Sequence, residues 1–276
     1  MMFFRLFVTV SAVWLLAVST HSASAQLWFG TKDTEIDDFV DIRMESDQVV
    51  GLGLAIVRNG RVVYSQGYGD EDREKGIKVS PSETRFRWAS VAKTLTAVLA
   101  VQADEMSAVE LDKNIELYYP HYKMPNNILT DRFPFSSALP KWTNPITLRD
   151  ILTHMSGIQH YSNGLSSPVP PRSLINKAST NTGMEWALKY WVDNPLVQIP
   201  GHRRSYSTPA FNLAGVTLEY GLGDSFDNLI QENIAVPAAM TTLRPDTNWN
   251  RAPRRAAGYR VTSAGQVVRD GDDDVS

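Results

Sequence analysis

The chain has 276 residues, 43% hydrophobic and 21% charged, with 27 Lys and Arg against 30 Asp and Glu for a net charge of −3. This is the composition of a globular protein long enough for one large or two small domains, and without a basic tract it excludes nucleic acid as an expected partner. There is no cysteine, which excludes disulfides, thiolate metal sites and thiol catalysis and suits an oxidising compartment.

Arg5 follows the starting methionines, Leu6 to Val18 is a nearly unbroken apolar run, and Ala23-Ser24-Ala25 supplies a small-x-small cleavage site before Gln26. Together these predict a signal peptide over residues 1–25. A membrane anchor is the alternative, but the run is short for a bilayer span. The mature domain, 26–276, is then expected to be secreted or periplasmic, with no stable membrane span after signal removal.

Thr34 to Asp47 is predicted to be an amphipathic helix, with Ile36, Phe39, Val40 and Met44 close to a 3.6 period. Val49 to Val57 reads as a strand buried on both faces. Arg58-Asn59-Gly60-Arg61 is a turn, because Asn-Gly accepts positive φ cheaply, and Val62 to Gly69 is the return strand of a β-hairpin. Asp70 to Ser82 is charged and loop-like. Thr84 to Trp88 is extended and leads into a helix running to about Met106, with Ala92, Leu95, Val98, Leu99 and Ala103 on its apolar face. Val109 to Lys113 is a turn, and Tyr118 to Asn144 is irregular.

Thr147 and Asp150 form a capping-box pattern that opens a short helix, Leu148 to Thr153, with Gly157 as its stop. Ser162 to Gly183 is a long loop, for which a rim around the site is one role. Met184 to Val192 is a helix carrying Trp186, Leu188 and Trp191, ended by Pro195. After the Pro200-Gly201 turn, Ala210, Leu213, Ala214, Thr217 and Leu218 mark a helix ended by Gly221 and Gly223. Phe226 to Ile234 is one more helix. Pro253 to Val268 begins a second β region, and the chain stops at Asp272 to Ser276 without a closing element.

The chemistry centres on Ser90 and Lys93. They lie three residues apart at the start of a helical pattern, so they share a face. A serine hydroxyl needs a neighbour to take its proton, and a lysine can do so if burial or a nearby cation lowers its pKa. A helix N-terminus also favours developing negative charge. Taken alone, the same letters describe an N-cap serine beside a solvated lysine. His154 and His160, six apart and without a His-Glu-x-x-His pattern, do not form a zinc site, and His154 reads as a loop anchor. There is no Gly-x-Ser-x-Gly elbow, and Gly51-x-Gly53 lacks the third glycine of a dinucleotide fingerprint.

Several stretches, taken in order, resemble one family. Arg87-Trp88-Ala89-Ser90-Val91-Ala92-Lys93-Thr94 is similar to its nucleophile segment, and Ile146 to Gly157 to its signature helix and loop. Pro200-Gly201, Tyr206-Ser207-Thr208 and Asn212-Leu213-Ala214-Gly215 resemble its second catalytic segment. Pro237 to Met240 with Thr242, and Ala257-Gly258-Tyr259, are similar to later landmarks. The family is that of the class C β-lactamase-like serine hydrolases, which include penicillin-binding DD-peptidases and related esterases. The resemblance implies an α/β (α+β) chain with the DD-peptidase/β-lactamase-like fold: an antiparallel sheet flanked by helices, plus a mostly helical lobe at about 107–200, with the final strands and helix missing.

By the same resemblance Ser90 is the nucleophile that becomes acylated, Lys93 its proton partner and Tyr206 the second base. A Lys93 close to the Tyr206 phenol would lower its pKa. The Ser90 N–H would be one oxyanion donor. No metal or cofactor is expected, and the partner is a small-molecule or peptide substrate: a β-lactam, a D-amino-acid peptide or an ester. Two departures stand out. Thr208 occupies the position of the family's asparagine in Tyr-x-Asn and lacks the second group of an amide, which puts β-lactam hydrolysis in question. No Lys-Thr-Gly or His-x-Gly follows Tyr206, so the chain reads as a fragment or a degenerate paralogue. The alternative function is an inactive scaffold or binding protein on the same fold. Oligomeric state is open.

Overall fold

The computed structural model describes residues 34–125, 145–160, 185–189, 191–245 and 253–270. They fall into two compact units, divided between Thr84 and Arg85. The predicted signal peptide, most of the predicted irregular stretch, the 162–183 loop and the acidic end lie outside the described residues.

The first unit holds helix α1 (Thr34–Ser46) and strands β1 (Gly51–Arg58), β2 (Arg61–Asp72) and β3 (Ile77–Lys78), antiparallel in the order β1-β2-β3. The hairpin turn forms at Asn59 and Gly60, whose φ values of 52° and 71° are both left-handed. That conformation matches the twist of the flanking strands and favours this residue pair. Register then shifts from Ile56↔Tyr64 to Val57↔Val62, a bulge at Val63. Leu52, Leu54 and Ile56 stand opposite Tyr68, Gln66 and Tyr64. On that face Asp37 of α1 accepts hydrogen bonds from the phenols of Tyr64 (2.6 Å) and Tyr68 (2.8 Å).

Three expectations need correction here. No residue of β1 is buried. Its apolar run alternates Leu52, Leu54 and Ile56 with Gly53, Ala55 and Val57, and the second set is exposed. Among the described residues, only one face of the strand is well covered. On α1, Val40 is buried but Phe39 is 65% exposed, so the apolar stripe is narrower than predicted. The stretch from Asp70 is not all loop: β2 continues to Asp72 and β3 pairs with it, helped by an ion pair from Lys78 to Asp70 at 2.6 Å.

The second unit contains a 3₁₀ turn (Ala89–Ala92) running into α2 (Lys93–Glu105), a 3₁₀ turn at Ile115–Leu117, α3 (Leu148–Leu152), α4 (Glu185–Leu188), α5 (Thr208–Leu222) and α6 (Phe226–Ile230). A π turn (Gln231–Ala235) extends α6, and β4 (Tyr259–Val261) pairs antiparallel with β5 (Val267–Arg269). The core is built on α5, which buries Pro209, Ala210, Phe211 and Leu213 to Leu218 and packs on α2, α3, α4 and α6. Leu99, Ala103, Val109, Ile115, Leu148 and Ile151 join it. Ser207 caps α5 by accepting the Ala210 N–H at 3.1 Å.

The predicted capping box is present: Thr147 Oγ1 accepts the Asp150 N–H, and Asp150 Oδ2 accepts the Thr147 N–H, each at 3.1 Å. The stop differs. Helix α3 ends at Leu152, and the left-handed residue after it is His154 (φ 61°). Gly157 serves a close approach instead, since a Cβ there would stand 2.2 Å from the Gln198 carbonyl oxygen. Gly221 likewise lies inside α5, where a Cβ would meet Val109 Cγ2 at 2.2 Å, and Gly223 (φ 76°) ends the helix. Helix α4 is shorter than predicted. The Leu188 carbonyl takes both the Trp191 and the Val192 N–H, closing the helix well before Pro195. No described helix is long and apolar enough to cross a membrane.

Candidate active site

The site is assembled by two local devices. At the first, Ala89 adopts a left-handed φ of 43°, unusual for a residue with a Cβ. The chain turns sharply there, places Ser90 in the tight 3₁₀ turn and starts α2 at Lys93. Lys93 Nζ donates to Ser90 Oγ at 3.3 Å. Ser90 is exposed, with Trp88 and Val91 nearby in the chain and also open to solvent.

The second device is the strand-like segment between the Pro200-Gly201 turn and α5. The Ser205 N–H donates to the His154 carbonyl at 2.7 Å, and Ser207 Oγ donates to the Gln159 carbonyl at 2.9 Å. Tyr206 is held between these anchors. Its hydroxyl lies 2.7 Å from Ser90 Oγ, although 116 residues separate the two in sequence. Lys93 Nζ lies 5.1 Å from the Tyr206 ring centroid, close enough to favour the ionised phenol. Hydroxyl, amine and phenol thus meet, as the sequence reading expected them to.

Hydrogen bonds from Lys93 and then Ser90 draw the Tyr206 phenol down to about 8; burial opposes them, and the Thr208 hydroxyl and the Lys93 charge add to them. About a tenth of such a phenol is ionised at pH 7, against about a thousandth at its ordinary pKa near 10. Thr208, at the start of α5, stands near enough to the phenol to favour its ionised form.

Two residues that the sequence reading did not place in the site surround Tyr206. The His154 ring lies 4.4 Å from the Tyr206 ring, tilted by 36°, and the His160 ring lies 5.2 Å away, edge-on. Burial, then Arg204, Lys93 and His160, hold His154 below its ordinary pKa; burial and then Lys93 do the same for His160. Their spacing in sequence was visible, but their target was 46 or more positions away. Among the described residues there is no cluster of His, Cys, Asp and Glu suited to a metal ion. The arrangement offers a nucleophilic oxygen, an adjacent proton acceptor and a cation that stabilises the acceptor's anion, which is the chemistry of acyl transfer.

A family model described as Beta-lactamase matches residues 36–275. The chain belongs to the β-lactamase family. Protein flp of Staphylococcus aureus (strain MRSA252) is 24% identical over 234 residues, covering 85% of this chain and 42% of that protein. EstCE1, "a hydrolase with promiscuous acyltransferase activity", superposes with a TM-score of 0.66 at 24% identity, over 86% of this chain and 58% of that one. The octameric penicillin-binding protein homologue from Pyrococcus abyssi gives a TM-score of 0.65 at 21% identity, over 85% of this chain and 49% of that one. These likenesses show the β-lactamase/DD-peptidase-like fold. The β-lactamase-family chain spans about half the length of the proteins it matches.

Proposed function

We propose that this β-lactamase-family protein is an exported serine hydrolase that works through an acyl-enzyme on Ser90. The observation that carries the reading is the 2.7 Å approach of the Tyr206 phenol to Ser90 Oγ, with Lys93 bonded to Ser90 Oγ and beside the phenol ring. The Tyr206 phenolate accepts the Ser90 proton as Oγ attacks a substrate carbonyl. The phenol then returns that proton to the leaving group, and a water molecule, deprotonated by the same phenolate, releases the acid and frees Ser90. Lys93 stays charged and stabilises the phenolate between steps. Export rests on the signal-peptide pattern of residues 1–25.

Among β-lactam, D-amino-acid peptide and ester substrates, the placement of Thr208 favours esters. Thr208 carries no amide group with which to recognise a substrate amide. The same substitution is what favours the second reading, an inactive scaffold or binding protein on this fold. A fluorophosphonate and a fluorescent penicillin, used side by side on the protein and on Ser90→Ala, separate these readings. Fluorophosphonate labelling that depends on Ser90, with little penicillin labelling, supports the ester hydrolase. Labelling of neither supports the scaffold, and equal labelling of Ser90→Ala removes Ser90 from the mechanism.

A further inference from the structure

Two imidazoles that play no part in the proposed proton transfers close around Tyr206. His154 Nδ1 accepts the Ser207 N–H at 3.3 Å, and His160 Nδ1 accepts the Thr208 N–H at 3.3 Å. These are the two consecutive N–H groups that follow Tyr206, so both peptide units leaving the tyrosine are held by side chains of one segment, 154–160. A ring nitrogen accepts only when it bears no proton, so each imidazole must carry its proton on Nε2. The rings also wall the phenol, His154 at 4.4 Å and His160 edge-on at 5.2 Å, while His154 lies 5.2 Å from Phe211 on α5.

We propose that His154 and His160 are positioning residues that aim the Tyr206 phenol at Ser90, and that they do so only as neutral, Nε2-protonated imidazoles. Protonation would turn each Nδ1 from an acceptor into a donor facing a backbone N–H. Among the described residues, the charged and titratable groups facing His154 include Arg204, Lys93, His160 and Tyr206, and those facing His160 include Lys93, His154 and Tyr206. Those that carry charge at neutral pH are cations, so a further positive charge on either ring is disfavoured. Once the pH falls far enough to protonate the rings, which is below the ordinary imidazole pKa, the clamps release and the phenol loses its aim.

The positioning role rests on Tyr206 serving Ser90 as proposed above; the tautomers do not. The test therefore has two readouts. Long-range ¹H–¹⁵N NMR of the ¹⁵N-imidazole protein reads the tautomers, with His154→Asn and His160→Asn assigning the signals. The expected result is the Nε2–H pattern for both rings at pH 7.5 and titration of both below 6.5. An Nδ1–H pattern, or titration of either ring at 6.5 or above, overturns the proposal.

The second readout is the fluorophosphonate acylation rate, with circular dichroism checking that each variant folds. His160→Ala and His160→Gln, whose amide reaches the Nε2 position, fall by about tenfold to a hundredfold, the effect expected of a displacement of about 1 Å. His160→Asn, which keeps an acceptor near the Nδ1 position, restores most of the loss. In wild type the rate falls more steeply than tenfold per pH unit once the imidazoles protonate, and His154→Asn with His160→Asn removes the extra steepness. Equal slowing by Asn and Gln overturns the positioning role. If wild type itself does not acylate, the hydrolase reading fails while the NMR result still judges the imidazoles.

Discussion

In the proposed mechanism Tyr206 serves as a base near neutral pH because of where Lys93 stands. The ammonium beside the phenol, with Ser90, favours its anion and brings its pKa to about 8. The ionised form accepts the proton, so acylation should rise with pH up to about 8 and then level. In Lys93→Ala the largest of these influences is gone, and the phenol returns toward its ordinary value near 10. The levelling point should then move upward by one to two pH units, with a rate at pH 7 lower by about tenfold to a hundredfold. A fluorophosphonate rate profile from pH 6 to 10 measures both; an unmoved profile would show that Lys93 does not tune the phenol. Ala89 makes a separate prediction. Its φ of 43° is strained for alanine, so Ala89→Gly should stabilise the protein by about 0.5–1 kcal/mol in a thermal melt. The Ser90–Lys93 pair was legible because it is a local spacing. Tyr206 was legible only through resemblance, since no periodicity links positions 116 residues apart. His154 and His160 were not legible as site residues, because accepting a distant backbone N–H leaves no local pattern.

At the scale of elements, the turn from α3 into the 154–160 segment governs where Tyr206 sits. Gly157 approaches the Gln198 carbonyl so closely that a Cβ would stand 2.2 Å from its oxygen, at a φ of 76° that alanine disfavours. Gly157→Ala should therefore cost about 2 kcal/mol or more in urea unfolding and slow acylation, because His160 lies three residues further on. Thr147→Ala removes half of the capping box and should cost about 1 kcal/mol, with the acylation rate little changed. The capping box was readable because both partners lie within one helical turn. The burial of β1 was not, because an apolar run does not say whether a second layer covers its other face. The helix-stopping glycines were misplaced for a related reason: glycine serves close packing at Gly157 and Gly221 and left-handed φ at Gly223.

For the whole molecule, apolar burial is uneven. The described core cluster lies entirely in the second unit, from Leu99 to Ile230. Among the described residues of the first unit the buried apolar side chains are Val40, Tyr64, Tyr68 and Val79. Local stability follows buried contact, so amide hydrogen exchange should be slowest in α2 and α5 and faster across β1 and β2. Uniform protection of the hairpin and the core helices would contradict this. The fold class was readable from the ordered set of motifs, and its helical core from the periodicity of α2 and α5. The division between Thr84 and Arg85 was not, because the Ser80-Pro81-Ser82 turn before it has the composition of any surface turn.

The central claim is that Ser90, Lys93 and Tyr206 act as one unit, and peptide-mapped acylation of the protein and of Tyr206→Phe across pH 6–9 tests it most directly. The fluorophosphonate adduct should map to Ser90, form about tenfold faster per pH unit up to about 8, and form about a hundredfold or more slowly, without that bend, in Tyr206→Phe. An adduct elsewhere, or an unchanged rate and profile in Tyr206→Phe, would contradict it.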